Sequence, residues 1–241
     1  MSVTLDRRKT PHERLSEIVR NHIVRGLFAQ IGLGTGDYAH TILKSAPKEK
    51  LFIIVDPYGS YEYRMMSPDE LGYPSTKTAR SNGDSLPILQ ELYQTAVYKD
   101  TAHFLYYPMD DAEFYERFQT GIFFYNESEK IKNNEYGFVL FNAENCVGNL
   151  IEGIRFMNER TPKDGVWVFN NINEYNARQR TLLDELVQEC NMEPNWENDF
   201  LVATKLIDPL DCLKPEQEAY AENEDKILIA NAPSDTNITY H

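Results

Sequence analysis

A chain of 241 residues with 41% hydrophobic content is long enough to bury one sizeable core, and a single domain is the simplest expectation. Its 24 basic and 38 acidic residues leave a formal net charge of -14, which repels phosphate backbones and anionic membranes and argues against nucleic-acid and membrane partners. No stretch nears the roughly 18 uninterrupted apolar residues of a membrane helix. The basic N-terminus MSVTLDRRKTPHERL has no apolar run behind it, so a soluble cytoplasmic protein is expected. Cys146, Cys190 and Cys212 are widely spaced, odd in number and without a CxxC pair, which points to reduced thiols in apolar segments rather than a disulfide or zinc site.

Thr10, Pro11 and Glu13 read as a capping box opening a helix, with Leu15, Ile18, Val19 and Ile23 at helical spacing and Gly26 at its end. A short buried strand follows from Leu27 to Ile31, then three glycines, then a helix carrying Ala39, Ile42, Leu43 and Ala46. Leu51 to Val55 is a second buried strand, ended by Asp56-Pro57-Tyr58-Gly59. From Ser60 to Gly83 the chain is polar and without sustained period, as expected of a long insertion over one end of a sheet, before a helical pattern resumes from Leu86 to Tyr98. Further strands are predicted at His103–Tyr107, Tyr136–Phe141 and Val166–Phe169, with helices after each. Met192–Trp196 and Phe200–Lys205, separated by Glu197-Asn198-Asp199, predict a closing hairpin. The expected fold is α/β, a doubly wound and mostly parallel sheet with antiparallel C-terminal edge strands, over residues 1–207. An acidic extension, 208–241, is expected either to wander or to add an edge strand or subunit contact, the latter making a homo-oligomer.

Gly32, Gly34 and Gly36 follow the first strand as G-x-G-x-G, a pattern that permits a tight turn into a helix N-terminus. A diphosphate-binding fingerprint needs its third glycine three residues after the second, where this chain has Asp37, whose charge repels a pyrophosphate. No Lys-Ser/Thr pair closes a phosphate loop either. Asp56 stands 20 residues beyond Gly36 at the carboxyl end of the second strand, where a carboxylate can accept both hydrogen bonds of a ribose diol. Together these features describe a site for a nucleoside without phosphates, preferably a cationic one. The glycines as a bare strand-to-helix bend, and Asp56 as a turn residue before Pro57, are the structural alternatives.

On these residues the chain resembles the class I S-adenosylmethionine-dependent methyltransferases over roughly Leu27 to Lys205. The family's first motif, an acid followed by x-G-x-G-x-G, matches Gln30 through Gly36 with glutamine in place of the acid. Its second matches Asp56. Its third, an acid after the third strand that reaches the adenine amino group, falls on Asp110 or Asp111, either of which could instead cap the helix that begins there. The segment from Phe138 onward is similar to a small-molecule subgroup with a DGDHSY-type turn. The resemblance implies S-adenosylmethionine as cofactor and a small-molecule methyl acceptor.

Where that subgroup carries aspartates this chain has Asn142 after the fourth strand and Asn170-Asn171 after the fifth. Three neutral amides suit a magnesium ion poorly, so no metal is carried over. Glu144, at the carboxyl end of the fourth strand, is the candidate base for a hydroxyl acceptor, against the alternative of an exposed loop carboxylate. Two functions follow: an enzyme that methylates oxygen on a small molecule, and a catalytically silent binding protein that keeps the nucleoside pocket but has lost its acids. A Rossmann-type oxidoreductase is opposed by Asp37.

Overall fold

The computed structural model describes residues 9–21, 24–57, 62–66, 74–78, 82–98, 102–126, 129–142, 147–197 and 199–209. In chain order the elements are α1 (Pro11–Asn21), β1 (Leu27–Ile31), α2 (Asp37–Ser45), β2 (Leu51–Val55), β3 (Glu62–Met66), β4 (Pro74–Thr78), α3 (Asn82–Tyr98) and β5 (His103–Tyr107). There follow α4 (Asp111–Arg117), β6 (Ile122–Asn126), β7 (Glu129–Asn133), β8 (Tyr136–Phe141), α5 (Val147–Asn158), β9 (Val166–Phe169), α6 (Ala177–Glu189), β10 (Met192–Trp196) and β11 (Leu201–Lys205).

Seven strands form one sheet in the order β10-β11-β9-β8-β1-β2-β5. β1 pairs in parallel with β2 and with β8, and β2 and β8 pair in parallel with β5 and β9. β11 is antiparallel to both β9 and β10, so it alone runs against the sheet, and the predicted closing hairpin is present. The alternation of side chains splits the core in two. Phe28, Phe52, Ile54, Phe138, Leu140 and Val168 face α1, α2 and α3, whereas Ala29, Ile53, Val139, Phe141 and Trp167 face α4, α5 and α6. Central strands buried on both faces explain why the sequence shows apolar runs there instead of strict alternation.

The predicted capping box starts α1: Glu13 N donates to Thr10 Oγ1 (3.2 Å) and Thr10 N to Glu13 Oε2 (2.8 Å). Arg14 holds this helix to the β10–β11 hairpin through both Glu197 carboxylate oxygens, with Nε 2.5 Å from Oε2. Beyond the sheet, Asp208 Oδ1 accepts from Arg25 Nη2 (3.0 Å) and Lys163 N (2.9 Å). The rest of the acidic extension, 210–241, lies outside the described residues, as do Cys146 and Cys212, while Cys190 is a buried free thiol.

Two hairpins depart from the sequence expectation. The polar stretch after β2 holds the antiparallel pair β3–β4, and α3 begins at Asn82, earlier than its apolar pattern, with Pro87 inside it. The chain between α4 and β8 forms the antiparallel pair β6–β7, which the reading of the sequence passed over. β3, β4 and β7, with the sequences EYRMM, PSTKT and EKIKN, lack the continuous apolar run of the central strands. Among the described residues no helix is long and apolar enough to cross a membrane.

Candidate functional site

Open parallel sheets bind ligands at the carboxyl ends of their strands. In this chain the ends of β1, β2, β8 and β9 are drawn together by the glycine turn and a set of buried amides. Gly32, Gly34 and Gly36 all have positive φ, at 87°, 60° and 88°. Gly32 N donates to Val55 O (2.7 Å), locking the start of the turn to β2. A methyl group at Gly34 would sit 2.6 Å from Asn142 Nδ2, so only glycine lets the turn pass this close to the end of β8.

Gly36 is the N-cap of α2 and its missing side chain faces α3, where a Cβ would lie 2.3 Å from Ile88 Cγ2. Strained backbone and overlap act together at this position. Gly36→Ala is expected to cost on the order of 1–3 kcal/mol, read as a lower midpoint in urea unfolding with unchanged slope.

Gln30 is fully buried on β1. Its Nε2 donates to Gly32 O (2.8 Å) and Leu33 O (3.3 Å), which fixes the amide orientation and leaves Oε1 buried without a hydrogen-bond partner. A buried acceptor left open in this way costs stability unless a donor arrives, which is the behaviour of a binding position. Asn142, 8% exposed, donates from Nδ2 to the same Gly32 O (3.1 Å) and accepts at Oδ1 from Asn170 Nδ2 (2.8 Å). Asn171, in the left-handed region, donates to Asn142 O (3.3 Å). The amides of Asn142, Asn170 and Asn171 therefore bond to one another, and Asn142 bonds to the glycine turn. Among the described residues no group of three or more His, Cys, Asp or Glu could hold a metal ion.

Asp56 follows β2 and its Oδ2 accepts from Leu33 N (2.7 Å), so this carboxylate is fastened to the middle of the turn. Its own backbone N–H donates to Tyr107 O (3.2 Å) and its carbonyl accepts from Tyr106 OH (3.0 Å), which tie it to β5. Asp37 opens α2, exposed, and accepts from Thr35 Oγ1 (2.7 Å). Negative charge at a helix N-terminus is favourable and keeps this end of the turn unsuited to a diphosphate.

Asp110 and Asp111 stand after β5, the strand next to β2. Asp110 is the N-cap of α4, its Oδ1 accepting from Glu113 N (2.7 Å), which is the structural role the sequence left open. Asp111 is displaced upward to about 6, first by burial and further by the carboxylates of Asp110 and Glu152. A carboxyl with a raised pKa in the fold contributes stability that is full below its unfolded value of 3.8 and is lost as pH rises through about 6. Asp111→Asn is therefore expected to raise the melting temperature at pH 8 and leave it unchanged near pH 3.5, in thermal scans across that range.

The structure thus brings Gln30, Gly32, Gly34 and Asn142 into direct contact, fastens Asp56 to them, and sets Asp110 and Asp111 at the neighbouring strand end. Glu144 lies outside the described residues. The sequence pattern does not single out Tyr38, in the first turn of α2, a half-buried phenol whose pKa is raised by burial and by Asp199 and Asp37. Its ring packs against His12 (4.9 Å) and Phe200 (5.8 Å). Nothing in its local sequence distinguishes it from the chain's other tyrosines.

No family model matches the sequence, and no curated protein matches it. Solved structures do. The calicheamicin methyltransferase CalS11 matches with a TM-score of 0.57 at 10% identity, over 80% of this chain and 76% of that one. The O-methyltransferase NovP matches with 0.53 at 11%, over 81% and 79%. An O-methyltransferase from Bacillus cereus, in complex with SAH, matches with 0.51 at 10%, over 82% and 83%. At such identities the likeness is one of architecture, and in architecture this chain has the Rossmann-like methyltransferase fold.

Proposed function

We propose that the protein binds S-adenosylmethionine and transfers its methyl group to an oxygen of a small molecule in the cytoplasm. The observation that carries this reading is the turn itself: three glycines at positive φ, gripped by Asp56 through Leu33 N, beside the unpartnered buried oxygen of Gln30. The fold shared with three methyltransferases, one in complex with SAH, supports it. In this reading Asp56 accepts from the ribose hydroxyls, Gln30 Oε1 accepts from the cofactor's amino group, and Asp110 or Asp111 reaches the adenine amino group. S-adenosylmethionine supplies a methyl already activated on a sulfonium, so the protein's task is chiefly to hold the acceptor in line.

Glu144 is the base we assign to the acceptor hydroxyl. Transfer of isotopically labelled methyl to a panel of small phenols and alcohols tests this directly. Glu144→Gln is expected to lower turnover by about 10²–10⁴-fold with cofactor affinity retained. Equal turnover by the variant removes Glu144 from the chemistry.

A second reading, a catalytically silent cofactor-binding protein, is favoured by the closed amide set of Asn142, Asn170 and Asn171, which spends its hydrogen bonds on the fold. Cofactor binding without transfer to any member of the panel is the result that selects it.

A further inference from the structure

The two edges of the main sheet are built differently. β10, at one end, has the sequence MEPNW, with Glu193 and Pro194 in mid-strand, both of which blunt an edge against pairing with another strand. β5, at the other end, has the sequence HFLYY, free of proline, Asp, Glu, Lys and Arg, and runs in unbroken register with β2 over all five residues. No strand lies beyond it among the described residues. An edge of this composition is a template for a further strand.

Beside β5 lies an apolar stripe on the outer side of α3. Leu86, Tyr93 and Val97 are 48%, 54% and 70% exposed, and their spacing places them on one face of the helix, separate from the buried face of Leu89, Leu92 and Ala96. Tyr93 joins stripe to strand, its ring 4.7 Å from that of Phe104 on β5. Glu91, two residues before Tyr93, points elsewhere, toward His40 at 3.7 Å. On a chain with a net charge of -14, most faces repel a second copy. The β5 edge and this stripe together carry no carboxylate.

We propose that β5 and the outer face of α3 form the interface of a homodimer. β5 pairs antiparallel with its counterpart about a two-fold axis perpendicular to the sheet. That axis is the one that also brings the two Leu86–Tyr93–Val97 stripes together on the same side of the extended sheet. The interface is closed and self-complementary, and it leaves the two candidate sites opening on opposite strand-end edges of a continuous fourteen-stranded sheet, twice the seven of one chain.

The test is the mass of the full chain in solution by light scattering over a concentration series, with Leu86→Lys and Val97→Lys made separately. The interface predicts a species of twice the 28.0 kDa chain mass, dissociated by either substitution with the circular dichroism and melting of the isolated subunit preserved. Hydrogen exchange on the unsubstituted protein provides a readout independent of the variants, since backbone amides in His103–Tyr107 should slow as concentration rises. A species of single-chain mass at every concentration overturns the proposal. So does a dimer that survives both substitutions, a larger assembly, or exchange in β5 that is indifferent to concentration.

Discussion

Replacing Asp56 with alanine is expected to weaken S-adenosylmethionine and S-adenosylhomocysteine alike by roughly 1.5–3 kcal/mol, the value of hydrogen bonds to a charged group, or roughly 10- to 150-fold in Kd. The carboxylate has two tasks. One oxygen accepts from Leu33 N at 2.7 Å and holds the turn, and the proposal gives the side chain the ribose diol as well. Asp56→Asn separates these tasks, because the amide keeps a carbonyl oxygen for Leu33 N and loses the charge. Titration calorimetry on the three proteins should therefore rank them wild type, asparagine, alanine. Equal affinities across the set would remove Asp56 from the site.

The second large effect is expected at Asn142. Asn142→Asp replaces the Nδ2 donor to Gly32 O with an oxygen, leaving two acceptors facing one another in a buried position. The loss is expected to reach at least about 1–3 kcal/mol at neutral pH, the cost of an unsatisfied buried group, and more if the charge stays unpaired. Burial and the facing carbonyl raise the new carboxyl's pKa in the fold. Its contribution is therefore most favourable below the unfolded value and declines as pH rises, so the deficit against wild type should shrink on acidification. Urea unfolding at pH 4 and pH 8 reads this. A variant as stable as wild type at pH 8 would show that the amide set is not a clamp on the turn.

Much of this architecture was legible in the sequence because the signals were local. Strand, three glycines and helix fall within a short stretch, and the spacing to Asp56 is set by one helix and one strand. The capping box at Thr10 and the hairpin before Lys205 are local in the same sense. What could not be read were contacts between distant segments. Asn142 and Gly32 are 110 residues apart, and only the adjacency of β1 and β8 in the sheet brings the Asn142 amide to Gly32 O as a hydrogen-bond donor. The overlap that makes Gly36 necessary comes from Ile88 on another helix. The β6–β7 hairpin had a usable signal in the aromatic and β-branched run Ile122–Tyr125, followed shortly by a second strand in register with it. Asp110 illustrates the opposite case, where the plain alternative of a helix cap is the role its geometry displays.

In the proposed function the turn from Gly32 to Gly36 seats a phosphate-free, cationic nucleoside. Isothermal titration of the full chain with S-adenosylmethionine, alongside NADH as a diphosphate-bearing control, tests it most directly. Saturable one-to-one heat with S-adenosylmethionine and none with NADH is the predicted result. No heat and no thermal shift with millimolar S-adenosylmethionine, or binding of NADH instead, would contradict it.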